Sequence, residues 1–242
     1  MARRGEGRSG RRWLMGTALG FGIAGCALLS RLPAFAETES QRLPEATVQA
    51  HEAHGLRTAI FAGGCFWGVQ GVFQHVRGVT QAVSGYAGGT RADADYRRVS
   101  TGETGHAEAV AVTYDPAVIR YDELLRIFFS VALDPTEVDR QGPDDGPQYR
   151  SALFPQDAEQ ARIAGAYLAQ LDAAKVFPRP IATRIEPGAQ FYPAEAYHQD
   201  YMALHPSHPY IAFNDAPKLK ALGHLFPERT RADPVLVGRP PA

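Results

Sequence analysis

Residues 61–68 read "FAGGCFWG" and place a single cysteine where a thiol is able to react. A cysteine attacks only as its thiolate, and a helix N-terminus is one environment that lowers a thiol pKa. The glycines before Cys65 permit a tight turn and leave the sulfur approachable. Phe66 and Trp67 would line a small apolar pocket beside it. On this octet alone, a buried structural cysteine at a strand end remains the alternative.

The flanking segments predict the backbone that positions this cysteine. "RTAIFA" at 57–62 has the β-branched and aromatic content of a buried strand, whereas "VQGVFQHV" from Val69 carries apolar residues at helical spacing. Cys65 therefore falls at a strand-to-helix turn.

Further along the chain, strand and helix patterns alternate. The strand patterns lie at 78–89, 106–116, 149–155 and 182–187, and the helix patterns at 121–133, 157–175 and near 216–222. This mixture predicts one two-layer domain at 56–230 of the α/β (α+β) class, with a mixed central sheet flanked by helices.

The N-terminal segment has the order of charges typical of an export signal. Residues 1–12 hold five arginines, residues 13–30 are uncharged, and "AFA" at 34–36 supplies a cleavage site. We predict a signal peptide at 1–36, twin-arginine-like through Arg11 and Arg12, and hence export to a bacterial periplasm. A lipoprotein box ending at Cys26, which would leave a membrane-anchored lipidated cysteine, and a permanent membrane helix are the alternatives.

Residues 37–55 are polar and without periodicity, so we predict a flexible spacer there, and 231–242 forms a tail.

The remaining composition excludes several classes of protein. The chain has two cysteines, and Cys65 is the only one beyond the signal, so no disulfide framework is expected. A net charge of −1 gives no basic surface for nucleic acid.

Several motifs, taken together, resemble a known family. "GGCFWG" is followed in order by "GYAGG", "YRRVSTGETGHAEAV", "YDELL", "RQGPDDGPQYRS" and "AEAYHQDY". From about residue 60 to 227 the chain is similar to the peptide methionine sulfoxide reductase A family. The resemblance implies a ferredoxin-like core, reduction of methionine S-sulfoxide, free or in proteins, a monomer, and no metal or cofactor beyond an external thiol such as thioredoxin.

The resemblance also assigns roles by position. It implies that Cys65 is the nucleophile, that Phe66 and Trp67 form the aromatic pocket, and that Glu108 in "GHAEAV" is the catalytic acid.

Three further site residues follow from the same motifs. Tyr96 and Tyr149 match the tyrosines that hydrogen-bond the sulfoxide oxygen, and Asp144 matches the acidic residue of the "RQGxDxG" motif. Leu133, Pro143 and Asp145 depart from the family pattern, which bears on the role of Asp144.

These roles agree with the chemistry of a sulfoxide. Its oxygen leaves only when protonated, so the site needs a carboxylic acid that is neutral near pH 7, and burial raises a carboxyl pKa. Glu108 lies between two alanines on a predicted strand, as such an acid would. Tyrosine hydroxyls would donate where negative charge develops on oxygen.

The cysteine count constrains how the enzyme is regenerated. Attack on a sulfoxide leaves a sulfenic acid on Cys65, and no cysteine follows it in the chain to condense with that group. We therefore expect a thioredoxin-like protein or a small thiol to act from outside.

Three other functions are compatible with parts of the sequence. His198, His205 and His208 would suggest a metal site, but prolines interrupt any common helical face. His75 or His106 would suggest a cysteine–histidine hydrolase or thiol transferase. A binding module that holds methionine-like side chains without catalysis is the third alternative.

Overall fold

The computed structural model describes residues 40–52 and 55–237, all within one compact unit. The strands described are β1 (Arg57–Gly63), β2 (Val79–Ala87), β3 (Ala107–Tyr114), β4 (Arg140–Gln141), β5 (Asp144–Asp145), β6 (Ser151–Phe154), β7 (Arg184–Ile185) and β8 (Phe191–Pro193). The α-helices described are α1 (Phe66–Gln74), α2 (Tyr96–Val99), α3 (Tyr121–Ile127), α4 (Ala158–Ala173), α5 (Tyr201–Leu204) and α6 (Ala216–Leu225).

Six of these strands form one mixed sheet in the order β7-β6-β1-β3-β2-β8, and β4 pairs with β5 in a separate ribbon. Strand β1 is antiparallel to β3 and β6, β2 is antiparallel to β3 and β8, and β6 is parallel to β7. The inner order β6-β1-β3-β2, with α1 between β1 and β2, is that of a ferredoxin-like core. The predicted fold class is confirmed.

The two faces of the sheet differ in the size of their side chains. On one face Phe61 stacks on Phe73 of α1 with ring centroids 4.7 Å apart and contacts Phe128 at 5.1 Å. On the other face most buried side chains are alanines of β1, β2, β3 and β6. Because strand side chains alternate, Glu108 shares the large-residue face with Val110 and Val112. The strand pattern thus buries a carboxyl group in the core.

The turn between β1 and α1 has the predicted position. Gly64 has φ +83°, and a Cβ atom there would stand 2.5 Å from Cβ of Gln141, so both conformation and space require glycine. Cys65 is the N-cap residue of α1. The helix begins at Phe66, three residues before the predicted apolar repeat, because the aromatic pair already forms its first turn.

The prediction of a flexible spacer at 37–55 differs from the structure over residues 40–52. Leu43 is 1% exposed, and Ala46 and Ala50 are also buried against the core. The amide of Leu43 donates to Oγ of Ser130 at 3.1 Å. The segment has isolated apolar anchors without helix or strand periodicity, so its sequence resembles a linker although it packs as a strap.

The predicted tail also begins later than position 231. The amide of Arg231 donates to the carbonyl of His75 at 2.9 Å, and that of Val235, which is buried, donates to the carbonyl of Gln74 at 3.1 Å. The folded region therefore extends through residue 237. The predicted signal at 1–36 lies outside the described residues. Within the described part of the chain, no helix has the length and apolar character needed to span a membrane.

Candidate active site

Cys65 lies at the first turn of α1 with only 9% of its surface exposed. Burial raises the pKa of its thiol well above the ordinary value, and the negative charges of Glu108 and Asp215 raise it further. The Trp67 amide and the charge of Lys218 lower the thiol pKa by smaller amounts. The sequence-based expectation of a lowered pKa is therefore wrong for the free protein, because desolvation outweighs the helix N-terminus.

Glu108 is the carboxyl group that acts most strongly on the thiol of Cys65. It is 2% exposed, and its Oε2 accepts a hydrogen bond from the amide of Phe66 at 3.0 Å. Burial raises the pKa of Glu108 to about 8, with the Phe66 amide lowering it and Asp144 raising it. At neutral pH the group is mainly a neutral carboxylic acid, as the chemistry of a sulfoxide requires.

Tyr96 and Tyr149 lie close enough to the thiol and the acid to interact electrostatically with both. Burial raises the pKa of each phenol, and the charges of Glu108 and Cys65 raise both further. Their hydroxyls therefore stay protonated and can donate hydrogen bonds. Glu195 fixes the start of α2, since its Oε1 accepts from the Tyr96 amide at 2.9 Å.

The two aromatic side chains after Cys65 form an apolar wall. Phe66 is fully buried against His198, with ring centroids 5.0 Å apart. Trp67 is half-buried and stacks on Tyr201 at 3.8 Å with 9° between the rings. Its Nε1 donates to Nδ1 of His198 at 3.2 Å, which fixes the indole plane.

Asp144 is linked to the same wall through Tyr210, which the sequence analysis did not identify as a site residue. The hydroxyl of Tyr210 donates a short hydrogen bond to Oδ2 of Asp144, and the Tyr210 ring meets Trp67 edge-on at 5.9 Å. Asp144 is half-buried, whereas Asp145 and Pro143 are exposed. The departures at those two positions therefore leave the inward-facing carboxylate in place, and Leu133 packs against the hydrophobic core.

The histidines have structural partners of their own. Nδ1 of His75 bonds the Gly71 carbonyl oxygen at 2.7 Å, and Nδ1 of His106 accepts from the Gly89 amide at 3.1 Å. Neither is paired with the thiol, so a cysteine–histidine dyad is not formed. Among the described residues, no group of three or more His, Cys, Asp or Glu is arranged to hold a metal ion.

The structure thus brings all the sequence-predicted site residues to one end of β1 and β3. These residues are Cys65, Phe66, Trp67, Tyr96, Glu108, Asp144 and Tyr149. It adds His198, Tyr201 and Tyr210 to the wall. The "AEAYHQDY" motif contains the first two of these, so their position next to Trp67 had a signal in the sequence.

A family model described as "Peptide methionine sulfoxide reductase" matches residues 57–229, which contain the whole site. The chain belongs to this family. The predicted resemblance is therefore confirmed.

Two similar proteins align with this chain over most of their own length. The chain is 58% identical over 185 residues to peptide methionine sulfoxide reductase MsrA 2 of Mesorhizobium japonicum, covering 76% of this chain and 95% of that one. It is 52% identical over 168 residues to a peptide methionine sulfoxide reductase MsrA of Thermus thermophilus, covering 69% of this chain and 94% of that one.

Solved structures agree with this assignment. The reduced form of Mxr1 from Saccharomyces cerevisiae superposes with a TM-score of 0.57 at 33% identity, covering 67% of this chain and 92% of that one. Methionine sulfoxide reductase A of Corynebacterium diphtheriae gives a TM-score of 0.54 at 34% identity, covering 64% and 77%.

Proposed function

We propose that this protein reduces methionine S-sulfoxide, free or within proteins, to methionine. The single observation that carries the proposal is the buried Glu108, a carboxylic acid held neutral by burial and hydrogen-bonded to the residue that follows the thiol. A sulfoxide is a substrate whose oxygen must be protonated before it leaves. A site that joins a thiol to such an acid suits this reaction better than hydrolysis, which needs a base beside the nucleophile.

The surrounding side chains orient the substrate. The apolar wall of Phe66 and Trp67 would hold the methyl group and the sulfur, with the oxygen directed at Glu108. The hydroxyls of Tyr96 and Tyr149 would donate to that oxygen as charge develops on it.

The proposed chemistry balances without any other reagent. The sulfur of Cys65 attacks the sulfoxide sulfur and forms an S–S bond while Glu108 protonates the oxygen, and the proton lost by the thiol restores Glu108. The resulting hydroxyl group then moves from the substrate sulfur to the sulfur of Cys65 as the S–O and S–S bonds break. Cys65 becomes a sulfenic acid and is oxidised by two electrons, while the sulfoxide is reduced to the thioether methionine. Because the free thiol has a raised pKa, we propose that it ionises only as substrate and proton donor come together.

An external thiol would complete the cycle. It attacks the sulfenic sulfur to form a mixed disulfide and releases water, and a second thiol then reduces that disulfide. A thioredoxin-like protein carries two thiols and suits this sequence, as does an excess of a small thiol. The steps use only side chains and thiols, so we propose no metal or other cofactor.

The proposed location follows from the N-terminal sequence. Its arginine-rich start and uncharged segment support export to the periplasm, with a lipid anchor at Cys26 as the alternative. Mass spectrometry of the N-terminus of protein purified from cells tests both. A start at Glu37 supports cleavage, a lipidated Cys26 supports the anchor, and an intact residue 1 in all of the protein contradicts both.

The activity itself is tested with separate S and R epimers of methionine sulfoxide and dithiothreitol. We expect loss of the S epimer only, and none with Cys65→Ser. If the S epimer is unchanged, the proposal is wrong. If Cys65→Ser still binds the sulfoxide and the wild type binds without reducing it, the protein is a binding module.

A further inference from the structure

Asp215 is a buried carboxylate that the proposed chemistry does not use. It has no exposed surface, and its Oδ1 accepts from Nζ of Lys218 at 3.2 Å. Asp215 is the N-cap residue of α6, yet its side chain caps no amide of that helix. Its Oδ2 is buried with no hydrogen-bond partner in the described part of the chain. A buried charge held in this way is costly, so its position needs an explanation.

The pair packs directly on the helix that begins at Cys65. A Cβ atom at Gly68 would stand 2.0 Å from Oδ1 of Asp215 and 3.0 Å from Nζ of Lys218. Gly68 lies in the first turn of α1, three residues after the thiol. Only glycine leaves room for the ion pair, so the close approach between the pair and this turn is built into the sequence of both elements.

The charged and titratable groups around Cys65 come from several separate segments of the chain. Glu108 faces it from β3, and the pair faces it from the start of α6, with Asp215 raising and Lys218 lowering the thiol pKa. The other groups are Asp144 of β5, which interacts with Asp215 and Lys218, and the phenols Tyr96, Tyr149 and Tyr210, each of which interacts with Cys65. Among these groups, Lys218 carries the positive charge that lowers the thiol pKa.

We propose that Asp215 and Lys218 are a positioning pair that sets the charge balance at Cys65. The Lys218 ammonium stabilises the thiolate as it forms, while Asp215 holds that ammonium against Gly68 and cancels part of its field in the resting enzyme. This role rests on the proposed function, because the thiolate is needed only for attack on the sulfoxide. Neither residue contacts the substrate in this scheme.

A pair whose charges cancel suits a site with a single cysteine. An unopposed ammonium beside the sulfur would favour a permanent thiolate, the form that oxidants attack first. An unopposed carboxylate would suppress the thiolate altogether. With both charges present, ionisation is held back in the free enzyme, and the thiol proton passes to Glu108 once Glu108 has given its own proton to the substrate.

The test uses three variants of the full chain: Asp215→Asn, Lys218→Met and the double variant. Methionine formed in a single turnover is measured against pH, so that only folded molecules contribute. Alkylation of Cys65 by iodoacetamide is followed in parallel by peptide mass spectrometry, which separates it from Cys26. The alkylation midpoint of Cys65 should move down in Asp215→Asn and up in Lys218→Met, each by about one pH unit, a roughly tenfold change in thiolate at neutral pH.

The double variant should return the midpoint toward that of the wild type. Lys220→Met is the control, since Lys220 is exposed on the same helix, and its profile should be unchanged. Shifts in the same direction for both single variants, or no shift in either, would overturn the proposal. If Lys218→Met does not fold, an unchanged or raised midpoint in Asp215→Asn suffices to overturn it. If the wild type forms no methionine, the proposed function fails, and the alkylation profiles still test the pair.

Discussion

The carboxyl group of Glu108 accepts a hydrogen bond from the backbone amide of Phe66, 3.0 Å away. Phe66 directly follows Cys65, so this single bond joins the proposed proton donor to the backbone beside the proposed nucleophile. The amide occupies Oε2, so a proton on the neutral carboxyl group would reside on Oε1. The bond also links strand β3 to helix α1.

Replacing Glu108 with Gln removes the proton but keeps the shape and the acceptor for the Phe66 amide. Single-turnover methionine formation should slow by about 10²- to 10⁴-fold, the usual contribution of general acid catalysis. Substrate affinity should change little. Glu103→Gln is the matched control, because Glu103 is exposed four residues before β3 begins. Near-normal turnover of the Glu108 variant would show that the proton comes from Tyr96, Tyr149 or water.

The rate of reduction should fall as pH rises through about 8, the pKa of Glu108. Below that pH the group is protonated and can donate, and above it the carboxylate has no proton to give. Single-turnover rates at saturating sulfoxide, measured across the range, locate this limb. The Glu108→Gln variant should lack it. A wild-type limb near the ordinary glutamate pKa of 4.5 would contradict the assignment.

The same raised pKa predicts how stability depends on pH. The neutral side chain stabilises the folded state fully below the ordinary value of 4.5, and this contribution is lost as pH rises toward about 8. In that window the unfolded chain has released the proton and the folded chain has not. Urea unfolding should therefore show wild-type stability decreasing across it, and Glu108→Gln should show a flatter profile. Equal slopes in the two proteins would mean that Glu108 is already ionised in the fold.

Much of the site could be predicted because its chemistry lies in short local patterns. "GGCFWG" contains the turn glycines, the proposed nucleophile and the aromatic wall within six residues, and the strand alternation around Glu108 indicates which way its side chain points. The sheet order could likewise be anticipated from the family resemblance, since the strand patterns are strong.

The rest depends on contacts between distant residues. The bond from Tyr210 to Asp144 spans 66 residues, and nothing in the spacing of "HPY" predicts it. The strap at 40–52 has the sequence of a linker because three buried side chains in an irregular segment leave no periodic signal. The direction of the thiol pKa shift is not predictable in this way, since the helix N-terminus is visible in the sequence, whereas burial and the charges of Asp215 and Glu108 are not.

The strap should contribute to stability through Leu43. Truncating this 1% exposed side chain to Ala removes buried apolar surface and leaves a cavity, which typically costs about 2 to 5 kcal/mol. Urea unfolding of the full chain measures the change. Leu56→Ala is the control, because Leu56 is 61% exposed and should lose little. Equal effects at the two positions would show that the strap is not part of the cooperative fold.

Tyr210 should contribute to activity through its hydroxyl group. Tyr210→Phe keeps the ring edge against Trp67 but removes the donor to Asp144, leaving that carboxylate free to turn from the pocket. We expect kcat/KM to fall roughly tenfold, as the loss of one hydrogen bond to a charged group would produce. Tyr192→Phe is the control, since the Tyr192 hydroxyl donates to Oε1 of Gln190 at the surface, 2.8 Å away. If Tyr210→Phe is no slower than this control, Asp144 is not part of the site.

The oxidised enzyme should carry its oxygen on Cys65. With one equivalent of methionine S-sulfoxide and no reductant, we expect one methionine per chain and a mass gain of one oxygen, about 16 Da, on the peptide that contains Cys65. The reason is that Cys65 is the one free cysteine of the described residues, so no thiol there can close an intramolecular disulfide.

Dimedone should trap this sulfenic acid, and a Cys26→Ser background removes the only other thiol of the chain. Added thioredoxin or a small thiol should restore the reduced mass and permit further turnovers, whereas delay before its addition should convert part of the protein to sulfinic acid, which thiols do not reverse. A disulfide-linked dimer through Cys65 as the obligatory product would contradict this route, because a second copy of the protein would then supply the resolving thiol.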